Sequence, residues 1–326
     1  MRSWSGKRVL VTGGAGFIGS SLCEKLVALG SHTTILDDFS SSKPSNVAQL
    51  LKRHPDTTRL IEADCTKLPE VKKAVRGAGI IFHLAANPEV RSELNRPRDC
   101  FKQNVYATHV LLEALHQSRS VEKLVFASTS TVYGDAGIFP TTESYGPLKP
   151  ISVYGASKLA SEAFVSSYSF LYGFKSVLLR LANIIGPRSQ HGVIIDFINK
   201  LDRNKKELEI LGDGFQCKSY LYIDDCVDAL LTACQESNQQ VEVFNLGSED
   251  WVAVSKIAEI VVEEAGLDKV RFRFSGGVDG GRGWKGDVKK MRLDISRIKK
   301  LGWKPRHNSA EAVRKTASQI LKDKEV

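Results

Sequence analysis

A tyrosine and a lysine stand four residues apart in Tyr154-Gly155-Ala156-Ser157-Lys158, at the head of a long helical pattern. Side chains four apart on a helix project from the same face, so both can reach one substrate atom. An ammonium beside a phenol favours the phenolate and lowers a tyrosine pKa that is ~10 when unperturbed. The pair therefore predicts acid/base chemistry in which Tyr154 exchanges a proton with a hydroxyl group.

The same spacing occurs at Tyr145 and Lys149, and it serves as an internal comparison. Pro147 and Pro150 interrupt the helix that would align those two side chains. We therefore assign the acid/base role to Tyr154 and Lys158.

Hydroxyl side chains follow an apolar run in the order Ser128-Thr129-Ser130-Thr131. Doubly wound sheets bind ligands at the carboxyl ends of their strands, and a hydroxyl at that place can orient or relay a proton. Ordinary turn hydrogen bonds explain most of these residue types equally well. We expect one of the four to act on the substrate.

A glycine-rich turn, Thr12-Gly13-Gly14-Ala15-Gly16-Phe17-Ile18-Gly19, directly follows the apolar run at 9–11. Its glycines tolerate unusual backbone angles and leave room for a pyrophosphate against the first amides of a helix. Apolar residues at helical spacing follow the turn, and Gly30 ends the pattern. A turn of this kind between a strand and a helix predicts a dinucleotide cofactor.

The next apolar run ends on Asp37, 18 residues after Gly19. A carboxylate at this place can accept hydrogen bonds from the adenosine ribose of a dinucleotide. Asp38 follows and no arginine stands beside the pair, so a 2′-phosphate would be repelled. The sequence therefore predicts NAD as the cofactor rather than NADP.

The alternation of strands and helices along the chain predicts the fold that positions these side chains. Short apolar runs alternate with helical patterns, notably 104–116 and 154–172, which predicts an α/β fold with a doubly wound parallel (Rossmann) sheet. Polar loops and glycine-rich stretches after residue 182 indicate a smaller α/β substrate domain at the C-terminus. We expect an NAD-binding domain at 1–182, with strands 220–223 and 241–246 of a return segment at about 219–247, and an interleaved substrate domain at 183–326.

Composition narrows the classes of function. The 326 residues are 42% hydrophobic and 25% charged, with a net charge of +9, which is typical of a soluble globular protein. The basic runs carry no nucleic-acid motif, so we favour a basic surface around an anionic substrate over a nucleic-acid partner. Six scattered cysteines without a CxxC argue against zinc and for the cytoplasm. No signal peptide and no apolar run of ~20 residues is found, so we expect no membrane segment.

Together these motifs resemble the extended short-chain dehydrogenase/reductase superfamily, and within it the nucleotide-sugar epimerases of the UDP-galactose 4-epimerase type. The likeness covers nearly the whole chain. It rests on the glycine turn, the two aspartates and YxxxK, together with Asp64, His83-Leu84-Ala85-Ala86, Asn104-Val105, the hydroxyl run, Leu179-Arg180-Leu181-Ala182-Asn183 and Gly302-Trp303.

The resemblance implies a role for further residues around the cofactor. It places Asp64 at the adenine, 84–86 on the pyrophosphate side, and Asn104 and Lys158 at the nicotinamide ribose. Pro88 and Leu181 depart from the residues that some relatives carry near the cofactor. The full expected cofactor set is Gly13, Gly16, Phe17, Ile18, Gly19, Asp37, Asp38, Phe39, Ser40, Asp64, Cys65, Leu84, Ala85, Ala86, Asn104, Ser128, Tyr154 and Lys158.

The resemblance likewise implies how a UDP-sugar is held. The catalytic hydroxyl falls on Thr129, beside Tyr154. Asn183, Lys218 and Arg282 correspond to residues that bind the diphosphate, although the glycine-rich segment around Arg282 differs in length. The expected substrate set is Arg91, Thr129, Tyr154, Asn183, Val193, Ile194, Lys218 and Arg282, with the uracil at Val193 and Ile194.

Several reactions begin with oxidation of a sugar hydroxyl by bound NAD, and the hydroxyl run distinguishes them. Relatives that eliminate water carry an Asp-Glu pair where this chain has Ser130 and Thr131, and decarboxylating relatives carry a glutamate at Thr131. Epimerisation at C4 through a transient 4-keto sugar is what remains. A lyase or 5-epimerase with a carboxylate from elsewhere, and a non-catalytic NAD-binding sensor, stay as alternatives; retention of Tyr154, Lys158 and Thr129 together argues against the sensor.

Two finer expectations also come from the resemblance. Met291 stands where relatives have a tyrosine that crowds out an N-acetyl group, so the flexible thioether would admit UDP-N-acetylhexoses. Relatives pair through the two long helices, here 104–116 and 154–172, which implies a homodimer.

Overall fold

The structure, a computed structural model, describes residues 3–88, 96–118 and 120–325. Arg91, one of the expected substrate contacts, lies outside the described residues. The chain consists of two compact units. The first unit consists of Met1–Val132, Val153–Arg180 and Val227–Phe244, and the second of Tyr133–Ser152, Leu181–Cys226 and Asn245–Val326.

The elements alternate between strands and helices along most of the chain. The strands are β1 (Arg8–Thr12), β2 (His32–Asp37), β3 (Thr58–Glu62), β4 (Ile80–His83), β5 (Lys123–Thr129), β6 (Lys175–Leu181), β7 (Asn183–Ile185), β8 (Glu207–Ile210), β9 (Cys217–Lys218), β10 (Tyr220–Tyr222), β11 (Val241–Leu246), β12 (Val252–Ala253), β13 (Arg271–Phe274) and β14 (Lys290–Met291). The helices are α1 (Phe17–Ala28), α2 (Ser45–Arg53), α3 (Leu68–Val75), α4 (Pro97–Cys100), α5 (Ala107–His116), α6 (Val153–Tyr172), α7 (Val193–Arg203), α8 (Ile223–Glu236), α9 (Val254–Glu264), α10 (Ser296–Lys299) and α11 (Ser309–Glu325).

The first unit is built on a seven-stranded sheet in the order β11-β6-β5-β4-β1-β2-β3. Strands β1 to β5 pair in parallel, and helices connect consecutive strands, so the expected doubly wound α/β class is confirmed. The order reverses on either side of β1 and β4, and such a switch point opens a crevice at the carboxyl ends of the strands. The glycine turn and the hydroxyl run both leave the sheet at that end.

The strands are apolar because both faces of the sheet are covered. Leu10, Ile81, Leu124 and Phe126 from three neighbouring strands are completely buried and belong to one core cluster. Residues of α3 and α5 complete the same cluster. This packing fixes the strand ends to which the functional side chains are attached.

One helix departs from its expected start. The pattern at 104–116 predicts a helix from Asn104, whereas the α-helix begins at Ala107 and is preceded by a π-helical turn, Phe101–Tyr106. Short π-helical turns are frequent at functional sites. Asn104 lies within this turn and is buried.

The second unit combines small sheets with α7, α9 and α11. Its strands form the pairs β10-β7 and β13-β8 and the three-stranded sheet β12-β9-β14. Apolar residues such as Ile198, Ile257 and Val313, one from each long helix, are buried. Within the described residues, no helix combines the length and the apolar character that a bilayer crossing needs.

The prediction that 220–223 returns to the main sheet is wrong. Strand β10 pairs in parallel with β7, through Tyr220 opposite Asn183, and its last residue is Tyr222. One residue, Ala182, separates β7 from β6, and β7 offers a new edge, whereas β11 already lies beside β6 in the large sheet. The other return segment, 241–246, lies in the large sheet as expected.

The unit boundaries also differ from the expected domain boundaries at residues 133–152. This segment is assigned to the second unit, where Thr141 bridges to Leu293 and Asn245 donates a side-chain hydrogen bond to the carbonyl of Thr141. The donor lies on β11 and the acceptor on a loop far from it in the chain, and an apolar periodicity does not reveal such hydrogen bonds.

Candidate active site

The glycine turn in the first unit has no space for side chains at its contact points. A Cβ on Gly13 would lie 2.7 Å from the amide nitrogen of Ala85, and Gly13 has a φ of +66°. A Cβ on Gly19 would lie 2.0 Å from the carbonyl oxygen of Gly13. Glycine is therefore required for the close approach of α1 to the turn, and for the left-handed backbone at Gly13.

Helix α1 begins without a side chain that caps its amides and without an acidic residue in its first turn. The first amides of a helix point away from the helix and carry a partial positive charge, so they bind phosphate groups. Phe17 and Ile18 supply two of these amides. The residues present therefore fit the pyrophosphate of a dinucleotide.

Asp37 organises the loop that follows β2. Its Oδ2 accepts a hydrogen bond from the amide of Ala15 at 2.9 Å, and its Oδ1 accepts from the amide of Phe39 and the hydroxyl of Ser42. A carboxylate has about four acceptor positions, so one remains for a ribose hydroxyl. Asp38 is exposed and accepts hydrogen bonds from the amide and the hydroxyl of Ser40. Ser42 was not among the residues expected from the sequence.

The residues after β3 form a tight turn. Asp64 accepts a hydrogen bond from the amide of Thr66 at 2.8 Å, and Cys65 is buried. Burial raises the pKa of the Cys65 thiol, with the neighbouring aspartates acting in the same direction. The thiol is therefore neutral, and a contact between Cys65 and the cofactor would be apolar.

A directed chain of hydrogen bonds lies beneath the loop at 84–86. The Thr108 hydroxyl donates to the carbonyl of Asn104, so it accepts from Nε2 of His83 at 3.0 Å. Nδ1 of His83 is then an acceptor, 2.7 Å from the Thr12 hydroxyl, whose oxygen accepts from the amide of Ala85. Burial lowers the pKa of His83 to about 3, with Lys158 adding to the effect, so the ring is neutral as this chain requires.

The side chain of Asn104 holds the same loop from the other side. Its Oδ1 accepts from the amide of Asn87 at 2.7 Å, and its Nδ2 donates to the hydroxyl of Ser157 at 2.9 Å. Ser157 belongs to α6, between Tyr154 and Lys158. Asn104 thus connects the expected cofactor loop to the helix of the acid/base pair, and neither Asn87 nor Ser157 was identified from the sequence.

Lys158 is 3% exposed, and its ammonium donates a hydrogen bond to the carbonyl of Ala127 at 2.8 Å. Burial lowers the pKa of this lysine to about 8, while Cys100 and Glu162 act in the opposite direction. Tyr154, one helical turn earlier on α6, is half-buried. The structure therefore contains a lysine next to β5 that loses its proton more readily than an exposed one.

Thr129 ends β5 two residues after Ala127. Its hydroxyl oxygen accepts hydrogen bonds from the hydroxyl and the amide of Thr131, at 3.1 and 3.2 Å. The Thr129 proton is not used by either contact, so this hydroxyl is suited to donate to a substrate oxygen. Ser128, expected at the cofactor, is buried and its hydroxyl donates to Glu162.

In the second unit, the cations expected at a diphosphate are paired with carboxylates. The Lys218 ammonium lies 2.6 Å from Oδ1 of Asp287, which is 3% exposed. The Arg282 guanidinium donates two hydrogen bonds to the carboxylate of Asp135, at 2.9 and 2.7 Å. Neither aspartate was identified as a partner from the sequence, because the residues of each pair are far apart in the chain.

The remaining expected residues of the second unit lie on its short elements. Asn183 begins β7 and is half-buried, and Val193 and Ile194 form the first turn of α7. Ile194 is buried, so a contact with uracil would fall to its backbone or to Val193. Met291 is buried on β14, where it pairs with Lys218 of β9.

Similarity to known proteins is independent evidence for the family to which the chain belongs. A family model described as "NAD dependent epimerase/dehydratase family" matches residues 9–247. The chain is 32% identical over 322 residues to the UDP-glucose 4-epimerase of Mycolicibacterium smegmatis, covering 95% of this chain and 97% of that one. It is 32% identical over 317 residues to the human dTDP-D-glucose 4,6-dehydratase, covering 95% and 89%.

A solved structure of a UDP-galactose 4-epimerase superposes with a TM-score of 0.85 at 42% identity, over 97% of this chain and 99% of that one. The family model and the relatives cover most of the chain, and the glycine turn fits the cofactor in the family's name. The chain therefore belongs to the NAD dependent epimerase/dehydratase family, and its cofactor is NAD.

Proposed function

We propose that this enzyme catalyses the reversible 4-epimerisation of a UDP-hexose, with UDP-galactose and UDP-glucose as the first candidates. The observation that carries the proposal is the hydroxyl pair Thr129 and Thr131 at the end of β5, a place without any carboxylate between residues 128 and 133. Such a site can move a proton at a hydroxyl but has no acid positioned to eliminate water. The similarity to 4-epimerases over the whole chain supports the same conclusion.

Tyr154, Lys158 and Thr129 have separate roles in this proposal. As a phenolate, Tyr154 accepts the proton of the sugar 4-hydroxyl and later returns it. The Lys158 ammonium favours the phenolate, and Thr129 donates a hydrogen bond to the sugar oxygen as its charge changes. Bound NAD supplies the acceptor and donor for the hydrogen at C4.

A 4-epimerase must also let the 4-keto sugar present its second face, so the nucleotide is held firmly and the sugar loosely. We assign the diphosphate to Asn183, Lys218 and Arg282, and the uracil to the start of α7. Each cation is paired with an aspartate, and a diphosphate bound there would replace the aspartate as the partner of the cation. Arg91 remains a proposed substrate residue from the resemblance alone.

The alternative reactions need a carboxylate near Tyr154. In the first unit, Glu162 follows Lys158 by one turn of α6, but it is buried and bonded to Arg180 and Ser128. A carboxylate in that state has no path to a substrate carbon. This argues against a dehydratase or decarboxylase built on Glu162.

Substrate identity is best tested by proton NMR of purified enzyme with trace NAD and UDP-galactose, UDP-glucose, UDP-GlcNAc or UDP-glucuronate. The proposal expects anomeric signals of the 4-epimer to grow to a fixed ratio without net NADH. Tyr154→Phe serves as the control and should leave the starting signals unchanged. Signals of a pentose or of a 4-keto-6-deoxy sugar would instead assign a lyase, and no reaction of any sugar would reject the UDP-hexose proposal.

The range of sugars depends on Met291 in this proposal. If the thioether leaves room for an N-acetyl group, Met291→Tyr should reduce turnover of UDP-GlcNAc much more than that of UDP-glucose. An equal loss for both sugars would reject the role of Met291.

A further inference from the structure

A buried carboxylate lies directly behind the lysine of the acid/base pair. Glu162 is 4% exposed and follows Lys158 by four residues on α6, so the two side chains share one face of the helix. A carboxylate is rarely buried to this degree without partners, because the loss of water disfavours its charge. The partners of Glu162 therefore indicate the role of this carboxylate.

Glu162 is held by both neighbouring strands. Its Oε2 accepts a hydrogen bond from Nη2 of Arg180 on β6 at 2.8 Å, and its Oε1 accepts from Nε of the same residue at 3.0 Å. The Ser128 hydroxyl on β5 donates to Oε1 as well. Arg180 and Ser128 are themselves buried, so the carboxylate is fixed in one place.

The same strand residues also hold the lysine. Ser128 follows Ala127 directly, and the carbonyl of Ala127 accepts the hydrogen bond from the Lys158 ammonium. Anchoring the Ser128 hydroxyl on Glu162 therefore fixes the peptide group against which the ammonium rests. Glu162 acts on Lys158 twice: through its charge, and through the strand end.

We propose that Glu162, held by Arg180 and Ser128, is a positioning residue that keeps the Lys158 ammonium charged and fixed against the Ala127 carbonyl. This inference rests on the proposed role of Lys158 beside Tyr154. The Glu162–Arg180 ion pair then supports catalysis in addition to joining α6 to the sheet. Such a role explains why a buried pair stands here, where well-packed apolar residues would stabilise a fold equally well.

The charges around Lys158 agree with this role. Glu162 acts on it from its own helix, where Tyr154 precedes it by four residues, and Cys100 acts from α4 and His83 from β4. The Phe126 ring centroid lies 4.8 Å from its nitrogen. His83 is neutral, and Arg180 is neutralised by Glu162. Desolvation lowers the pKa of Lys158 to about 8, and Glu162 opposes that decrease. Removal of the Glu162 charge should therefore lower the pKa of Lys158 further.

The test is Glu162→Gln, which keeps the size of the side chain and an oxygen acceptor for Ser128. Enzyme loaded with NAD and carrying 13C at the lysine ε-carbons is titrated by NMR, and the Lys158 signal is identified by its absence in Lys158→Met. We expect the Lys158 midpoint to fall by about one pH unit or more in Glu162→Gln. The alkaline limb of kcat/KM should move in the same direction, with activity retained on the acidic side.

The matched control is Asp225→Asn in the second unit. Asp225 is 1% exposed and bonded to Arg306 and His307, so it is a comparable buried carboxylate without contact to Lys158. It should lower the melting temperature and leave the Lys158 titration unchanged. If Glu162→Gln does not fold, Glu162→Gln/Arg180→Gln also removes the guanidinium charge that the Glu162 carboxylate balanced, and it should shift the midpoint in the same direction by less.

An unshifted Lys158 midpoint in whichever variant folds would overturn the inference, and a shift equal to that in Asp225→Asn would also reject it. The NMR titration uses no sugar, so it gives its answer even if the wild-type enzyme fails to epimerise UDP-hexoses. Failure of the wild-type enzyme to epimerise UDP-hexoses would reject the proposed reaction and leave the inference about Glu162 standing.

Discussion

Lys158 is a cation that the fold keeps out of water, and this has a cost for stability. Its pKa is lowered from an ordinary 10.5 to about 8 because burial disfavours the charged form. The hydrogen bond to Ala127 and the nearby Glu162 offset only part of this penalty. Buried titratable groups with shifted pKa values are common in active sites, which supports the role proposed for Lys158.

Replacing the lysine should therefore make the protein more stable and inactive. In Lys158→Met, we expect the free energy of unfolding at pH 7 to rise by roughly 1–3 kcal/mol, because the desolvation of the charge is removed. Below pH 8 both folded and unfolded wild-type chains bind the proton, so the full penalty is present. Between pH 8 and 10.5 the folded chain releases it, so the advantage of the variant should disappear.

Urea unfolding of both proteins at pH 7 and at pH 10 measures this difference. Lower stability of Lys158→Met at both pH values would contradict the assignment of Lys158 as a destabilising buried charge.

At the scale of elements, the strand-turn-helix unit from β1 to α1 depends on contacts between backbone atoms. The end of α1 nearest the turn is so close to Gly13 that position 19 has no volume for a methyl group. Steric demands of this kind depend on neighbours in sequence, and this is why the glycine pattern predicted a tight turn between β1 and α1.

We expect Gly19→Ala to weaken NAD binding at least tenfold, about 1.4 kcal/mol, because the helix must move away from the turn that its amides serve. Isothermal titration with NAD measures the effect. Gly137→Ala is the control, since a Cβ there meets no atom within 4 Å. Unchanged NAD affinity in Gly19→Ala would show that the turn adapts freely.

The loop that follows the hydroxyl run carries Asp135, the partner of Arg282. Asp135 forms an ion pair with the guanidinium of Arg282. We assign Arg282 to the diphosphate of the substrate. We expect Asp135→Asn to tighten UDP binding about three- to tenfold, since the anion no longer competes with a carboxylate. Calorimetry at low and moderate salt measures this.

Asp213→Asn is the comparison for that loop, because it removes a similar carboxylate that pairs with Lys289 of the same unit. Only Asp135→Asn should gain affinity. Weaker UDP binding in Asp135→Asn would mean that the ion pair orders Arg282 for the ligand and does not compete with it.

The sequence therefore predicted local features well and distant partners poorly. The tight turn between β1 and α1, the parallel sheet and NAD are confirmed, because periodicity and spacing along the chain express them. The partners Asp135, Asp287 and Ser157 were missed, since hydrogen bonds across the fold leave no spacing signal. The misplacement of 220–223 has the same cause: an apolar strand does not specify which edge it pairs with.

At the scale of the whole molecule, α6 carries exposed apolar side chains that a monomer would leave in water. Phe170 and Leu171 are 70% and 71% exposed, and Phe164 and Tyr172 on the same helix are also exposed. Several large apolar side chains exposed on one helix are typical of an interaction site. We propose that it pairs with the same helix of a second copy, in agreement with the homodimer that the family resemblance implies.

Leu171→Glu should then convert a dimer into a monomer, because the charge would be buried at the centre of the pairing surface. Sedimentation velocity over a range of protein concentrations measures this. Leu29→Glu is the control: Leu29 is 39% exposed and lies at the C-terminal end of α1, which contacts β1, β2 and α2 of the same unit, so its replacement should leave the dimer intact. A wild-type protein that sediments as a monomer would reject the proposed pairing.

The chain passes between its two units five times, and β11, the last strand of the large sheet, ends only at residue 246 of 326. During synthesis on the ribosome, β6 therefore emerges long before its outer neighbour exists. The edge of β6 stays unpaired while residues 182–240 are made, of which 182–226 belong to the other unit, and an unpaired edge can associate with other nascent chains. We therefore expect this enzyme to need a chaperone, or slow translation, between residues 181 and 246 more than at any later point.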